Sequence, residues 1–257
     1  MGIALITGAS KGIGRSIAFE LASKGYGLVL VARDAVLLHE VSEDIKSRFA
    51  VPVLWLPIDL SEPDAATRIL ARCEREGLRV NMLVNNAGFG LSGDLNEHPW
   101  EEYDSMIKVN MTALTALCVS FMPMLQSGSR SFIMNIASTA AYQAVPGLSV
   151  YAATKAYVLS FSRALSHELA ESSVTVTCVS PGATDTDWAR RAQIRGAALK
   201  AAERMNMSPE QVARIAVQAT LKGRVEVVTG FTNRLTAFIV KFIPASWVEK
   251  IAYRLYK

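Results

Sequence analysis

Tyr151 and Lys155, in the stretch Y-A-A-T-K, set a phenol and an ammonium four residues apart. On a helix such residues share a face, so the two heads can reach each other or a common ligand. Taken alone the pair reads as a solvated helix face. It becomes a proton-transfer device only if other groups gather round it. A free tyrosine ionises at about pH 10, too high for efficient proton exchange near neutrality. A neighbouring ammonium stabilises the phenolate and lowers that value.

A second chemical signal lies near the N-terminus, in T-G-A-S-K-G-I-G, with Gly8, Gly12 and Gly14. A strand-like run precedes it and a helix-like segment follows. That context lets a tight turn present bare backbone N–H groups and a helix dipole to a pyrophosphate. The spacing is G-x3-G-x-G rather than G-x-G-x-x-G, and glycines also serve simple turns, so the flanking elements carry the dinucleotide reading. The second strand ends in V-A-R-D, with Ala32 where a ribose-binding acid is expected and Arg33 after it. A guanidinium there suits the 2′-phosphate of NADP, with Lys11 as a second cation. Two alternatives stay open: Arg33 and Asp34 as simple solvation of a strand end, or Asp34 as an acid of the NAD type.

The elements that position these groups alternate along the chain. Apolar runs start at Ile3, Gly27, Val53, Asn81, Ser131, Val174 and Val225, separated by helix-like segments. Runs without clean alternation fit strands buried on both faces, so the expectation is an α/β fold with a doubly wound parallel sheet of seven strands and helices on both faces. Two helices bear on the chemistry. One runs from Pro99 to Gln126, with Glu101 and Glu102 in its first turn; the other, from Ser149 to Ser172, opens with Tyr151 and Lys155 just past the fifth strand. Ligands of open α/β sheets bind at that end of the strands. With no low-complexity linker and no repeat, residues 1–230 read as one domain, followed by an extension, 231–257.

Composition narrows the function classes. The 257 residues are 51% hydrophobic, enough for a sizeable core. The longest apolar runs, such as Leu235 to Val240, are about half of the ~20 residues a bilayer requires, so no spanning helix is expected. Nothing ahead of Ile3 resembles a leader, which makes the cytoplasm the expected compartment. Cys73, Cys118 and Cys178 are far apart and read as core residues, and His39, His98 and His167 are scattered, so no metal site is expected. Residues 231–257 hold five basic groups against Glu249, whereas residues 1–230 carry 22 of each sign. A neutral body without a basic stripe argues against a nucleic-acid partner.

Together, Thr7-Gly8-x3-Gly12-x-Gly14, Asn85-Asn86-Ala87-Gly88, Asn110, Ser138, Tyr151-x3-Lys155 and Pro181-Gly182 resemble the short-chain dehydrogenase/reductase family, in order and spacing, over roughly residues 1–230. The resemblance implies a Rossmann-type sheet, an NADP(H) cofactor and interconversion of a carbonyl and an alcohol. It implies Tyr151 as general acid or base, with Lys155 tuning it and binding the nicotinamide ribose. Ser138 would hold the substrate oxygen, and Asn110 would bind a water in the proton relay. The plainer readings are that Ser138 caps the next segment and that Asn110 is a satisfied buried amide. The cofactor contacts implied are Gly8, Ser10, Lys11, Gly12, Ile13 and Gly14 in the loop, Arg33, Asp59 with Leu60, and Asn86, Ala87 and Gly88. Tyr151 and Lys155 join them, with Pro181, Gly182 and Thr186 beside the nicotinamide amide. Trp188 and the stretch to Met207 fall in the family's variable substrate lid, expected to be mobile until occupied. The substrate is expected to be fairly apolar, and a homodimer or homotetramer is implied, assembled through the helices that carry Asn110 and Tyr151. A non-catalytic NADP-binding sensor on the same fold is the rival reading, and intact Ser138, Tyr151 and Lys155 count against it.

The extension departs from the simplest family pattern. Leu235, Phe238, Ile239, Phe242 and Ile243 follow the spacing of a helical apolar stripe, and Trp247, Val248, Ile251 and Leu255 repeat it beyond Pro244. Two short amphipathic helices are expected. Their stripe should cover the substrate cleft or a partner subunit, or else make weak peripheral contact with an anionic membrane.

Overall fold

In the computed structural model, residues 195, 197, 198, 200–205 and 257, and the side chains of 255 and 256, are outside the described set. Seven parallel strands form a single sheet in the order β3-β2-β1-β4-β5-β6-β7. They are β1 (Ile3–Thr7), β2 (Gly27–Ala32), β3 (Val53–Pro57), β4 (Val80–Asn85), β5 (Ser131–Ile136), β6 (Val174–Ser180) and β7 (Glu226–Val228). The order reverses between β1 and β4, which opens a crevice at their carboxyl ends. Strands β1, β2 and β5 are buried throughout, as expected of a sheet covered on both faces.

One layer holds α1 (Gly12–Ala22), α2 (Ala35–Arg48) and α8 (Pro209–Leu221), whose Ile17, Leu21, Leu38 and Val217 pack with Ile6, Leu30 and Met134 of the sheet. The other holds α3 (Ala65–Arg75), α4 (Trp100–Ile107), α5 (Ala113–Gln126) and α6 (Ser149–Glu168). There Ile69, Leu117, Phe121 and Val158 pack on Leu5, Leu83 and Ile133.

Between α4 and α5, residues Lys108–Thr112 form a π-helical turn, with the Ala113 N–H bonded to the Lys108 carbonyl. The continuous helical run Trp100–Gln126 is long and apolar enough to cross a membrane by length and composition, its most apolar 18 residues having a mean hydropathy of 1.4. A search for uninterrupted apolar runs overlooks it, because polar residues punctuate it. Here its Leu114, Leu117, Cys118, Phe121 and Leu125 are buried in the core beside the sheet.

After β6 come α7 (Trp188–Arg191) and then, past α8 and β7, the two tail helices α9 (Phe231–Ile239) and α10 (Ala245–Tyr256). The periodicity predicts both tail helices, but not the side they bury. Among the described side chains, the buried tail residues are Ala237, Val248 and Ala252, while Leu235, Phe238, Ile239, Phe242, Trp247 and Ile251 are exposed. Within the chain, then, most of the stripe is exposed. Ile243, in the turn between the two helices, is half-buried. Leu255 lies outside the described side chains.

Candidate active site

The glycine loop leaves β1 at Thr7 and enters α1. Gly8 (φ +65°) and Gly12 (φ +53°) take left-handed backbone, which other residues adopt at a cost. A Cβ on Gly14 would overlap the Gly8 carbonyl and the Asn86 amide. Lys11 is the N-cap residue and makes no side-chain cap bond, while Ser10 and Ile13 are half-buried on the same turn. The open helix N-terminus therefore keeps its N–H groups for an anion.

Thr7 belongs to the sequence motif without an evident role, and the structure supplies one. Its Oγ1 accepts from the Asn86 and Ala87 N–H groups, both at 3.0 Å, and donates to the Val84 carbonyl. Asn86 Nδ2 donates back to the Thr7 carbonyl at 2.9 Å. Across the crevice the Thr186 methyl would lie 3.0 Å from a Cβ on Gly12, so the segment from Pro181 closes over the loop. The Pro181 carbonyl accepts from Thr139 N–H at 2.9 Å and fixes that segment to the turn after Ser138. Gly182 touches the tail: a Cβ there would overlap the Asn233 amide. Sequence reasoning missed Asn233, whose only signal was its place one turn past Gly230.

At the end of β2, Ala32 is buried and Arg33 reaches Asp59 at 3.5 Å, both partly exposed. Burial opposes ionisation of Asp59, but bonds from the Ser61 N–H and hydroxyl, with the Arg33 charge, outweigh it and hold the carboxyl below its usual range. Leu60 is buried beside it. Asp34 is used differently, capping α2 by accepting from Leu37 N–H at 3.1 Å. Arg191 of α7 carries no motif that would single it out in the sequence. Burial and the Arg33 charge lower its pKa, and its guanidinium lies 5.5 Å from the Phe89 ring centroid. A second cation thus faces the Arg33 region.

Tyr151 and Lys155 are both buried in the first turns of α6. Lys155 Nζ donates to the Ile136 carbonyl at 2.8 Å and lies 5.9 Å from the Tyr151 ring centroid. Burial pulls the ammonium down to about 8. Next to it, a Cβ on Gly88 would be 3.3 Å from Lys155 Nζ and 3.0 Å from Asn110 Oδ1, so these groups share one small volume.

Asn110 sits in the π-helical turn and its amide is occupied. Oδ1 accepts from Phe89 N–H at 3.1 Å, while Nδ2 donates to the Phe89 carbonyl at 2.9 Å and to Thr154 Oγ1 at 3.0 Å. The side-chain amide is thus satisfied within the protein, and Asn110 clasps the loop after β4 to α6. Thr154, also unforeseen, closes the clasp by donating to the Tyr151 carbonyl at 2.7 Å.

Ser138 is half-buried just past β5. Its Oγ accepts from Ala140 N–H at 3.1 Å, which caps the turn Thr139–Tyr142 and leaves its own hydrogen to donate. Both sequence readings of Ser138 are therefore compatible in one residue. Trp188 packs on Tyr151 with ring centroids 4.9 Å apart. Gly90 makes room, since a Cβ there would lie 2.8 Å from the indole and 3.2 Å from the Tyr151 ring. Leu91, Met106, Val145 and Leu148 complete an apolar wall. Much of the segment beyond Ile194, to residue 205, lies outside the described residues, so only part of the expected lid falls within them.

This arrangement can seat a dinucleotide from the glycine loop to Lys155 and bring a polar oxygen between Ser138 and Tyr151. Comparisons with known proteins show the family. The short chain dehydrogenase family model matches residues 2–195. An uncharacterised oxidoreductase of Staphylococcus saprophyticus is 33% identical over 198 residues, 75% of this chain and 85% of that protein. The NADP-dependent 3-hydroxy acid dehydrogenase of Schizosaccharomyces pombe is 31% identical over 186 residues, 72% of each chain. A short-chain dehydrogenase from Sphingobium yanoikuyae in complex with NADPH superposes with a TM-score of 0.82 at 32% identity, covering 94% of this chain and 93% of that one. With the family model matched over most of the chain, relatives above 30% identity and the seven-stranded parallel sheet, the chain belongs to the short-chain dehydrogenase/reductase family of oxidoreductases.

Proposed function

We propose that this protein interconverts a carbonyl and a secondary alcohol on a fairly apolar substrate with NADP(H), using Tyr151 as general acid in reduction and general base in oxidation. The observation that carries this reading is the buried Lys155 ammonium, anchored on the Ile136 carbonyl within 5.9 Å of the Tyr151 ring centroid. A cation in that place favours the phenolate and brings the phenol's proton into use near neutrality. When bound, the reduced nicotinamide supplies the hydride. Ser138 donates its hydrogen to the substrate oxygen and holds the carbonyl toward the ring. Tyr151 gives its proton to that oxygen as negative charge develops there, and Lys155 offsets the charge left on the phenolate. Asn110 takes part by position, fixing Phe89 and Thr154, and through them the walls of the site.

The choice of NADP(H) is supported by Ala32 in place of an acid, by the use of Asp34 as a helix cap, and by two guanidiniums, Arg33 and Arg191, in one region. The Arg33–Asp59 pair is loose enough, at 3.5 Å, to be exchanged for a phosphate. The Schizosaccharomyces pombe and Sphingobium yanoikuyae proteins, whose names mention NADP and NADPH, support that choice, while another solved short-chain dehydrogenase is in complex with NAD. An apolar substrate is supported by the wall of Leu91, Val145, Leu148 and Trp188 beside Tyr151. Assembly as a dimer or tetramer through the outward faces of α5 and α6, in the cytoplasm, completes the proposal.

The test is titration with NADPH and with NADH, followed by turnover of a ketone panel. Tighter NADPH binding with oxidation of the cofactor by apolar ketones is expected. Equal affinities would overturn the cofactor choice, and tight binding without turnover of any carbonyl would favour a sensor.

A further inference from the structure

The tail turns its large side chains away from the body of the protein. Phe231, Leu235, Phe238 and Phe242 recur at intervals of four, three and four residues, which at about 100° per residue makes one stripe. The Phe238 and Phe242 rings meet with centroids 5.1 Å apart, so the stripe continues past the end of α9. On α10, Trp247 and Ile251 are one turn apart and 67% and 68% exposed, while Val248 and Ala252, on the neighbouring face, are buried. Phe242 is 74% exposed. Isolated exposed apolar residues are ordinary, but a run of aromatic and aliphatic side chains along two helices marks a surface made for contact.

The charges beside the stripe indicate the partner. Arg234, its guanidinium 5.6 Å from the Phe231 ring centroid, and Lys241, its ammonium 5.9 Å from that of Tyr142, lie beside the stripe and are exposed, as are Lys250 and Arg254 on α10. Among the described residues none of these four cations forms an ion pair. Across residues 231–257 five basic groups face a single acid, Glu249, and the whole excess charge of the chain is concentrated there.

We propose that α9, α10 and the turn between them dock on an anionic lipid surface, with the aromatic stripe at the boundary of headgroups and acyl chains and the cations on lipid phosphates. Helices of 9 and 12 residues are too short to span a bilayer, which needs about 20, so they lie in the plane of the surface. The alternative occupant, a second copy of the chain, is disfavoured by charge. A two-fold contact through this face sets the patch against itself and brings its cations together, with only Glu249 to offset them. An anionic bilayer offers the opposite sign throughout. Because α9 packs on β7 and on the turn Thr139–Tyr142 that follows Ser138, docking holds the mouth of the carbonyl site close to the lipid.

The experiment is flotation of the full chain with vesicles of phosphatidylcholine alone and of phosphatidylcholine mixed with phosphatidylglycerol, at low and high salt, alongside sedimentation velocity. Binding to the anionic vesicles at least ~10-fold above the neutral ones, lost at high salt, is expected. The double variants Arg234→Glu/Lys241→Glu and Phe238→Ser/Trp247→Ser should each lower that binding at least ~10-fold with an unchanged melting temperature, since all four side chains are exposed. No preference for anionic vesicles by the unmodified chain would overturn the proposal, as would equal binding by both variants. A dimer lost in Phe238→Ser/Trp247→Ser, without vesicle binding by the parent, would overturn it too and assign the face to a second copy.

Discussion

Around Tyr151 the inward-facing groups include polar ones that are bonded: Asn110 to Phe89 and Thr154, Lys155 to Ile136, Thr7 to Asn86 and Ala87. Among the described side chains of residues 231–257 the buried ones are Ala237, Val248 and Ala252, and most of the large apolar side chains are exposed. The first region encloses polar atoms and must satisfy each of them, because an unmatched polar group in a low-dielectric interior is costly. The second encloses little and leaves its apolar area for something external. It follows that small changes should be felt strongly at the strand ends and weakly in the tail, unless the tail's partner is present.

Tyr151→Phe tests the strand-end region most severely. It removes only the hydroxyl, so NADPH binding and the fold should persist while kcat falls by at least ~100-fold. Near-normal turnover would remove Tyr151 from the proton path. Gly14→Val comes next, because its side chain has no room between the Gly8 carbonyl and the Asn86 amide. Loss of about 1–3 kcal/mol in thermal or urea unfolding is expected, with weakened NADPH binding. A variant as stable as the parent would mean that the loop yields.

Lys155 gives a pH signature. Its folded value of about 8 lies below the ~10.4 of an unfolded lysine, so between these values the unfolded chain binds more protons. This group's contribution to stability therefore rises with pH across that window, and below about 8 it is constant. Activity should run the other way. The ammonium is lost above about 8, so kcat/KM for reduction should fall towards ~10-fold per pH unit. Lys155→Arg, which stays charged, should move that limb upward even if the rate is lower; an unmoved limb would assign it to another group.

Arg33→Ala should cut the preference for NADPH over NADH by roughly 10-fold, a moderate effect because the side chain is partly exposed. The smallest effect is expected in the tail. Phe242→Ser should change stability by no more than ~0.5 kcal/mol in the absence of lipid, whereas Val248→Ala, though a smaller chemical change, should cost about 0.5–1.5 kcal/mol. Equal losses at the two positions would break the contrast between outward and inward residues.

Much of this was legible in the linear chain for local reasons. Strand runs buried on both faces have to be continuously apolar, a left-handed turn against a helix start has to be glycine, and a phenol and an ammonium that share a helix face have to be four residues apart. Those rules place the seven strands, the loop from Gly8 to Gly14 and the Tyr151–Lys155 pair. The two tail helices are also local, since their period of about 3.6 is written in the sequence.

What only the tertiary structure decided concerns partners distant in the chain. Asn110 is a clasp because Phe89 and Thr154, 21 and 44 residues away, come to it. That Asp34 caps α2, its carboxylate turned back to Leu37, shows only once the chain is folded. Arg191 joins Arg33, and Trp188 reaches Tyr151, only after the chain returns over the sheet. Periodicity fixes that a helix has an apolar face, but which face is buried depends on what arrives opposite it; in α9 and α10 Ala237, Val248 and Ala252 are buried while Phe238, Trp247 and Ile251 stay exposed.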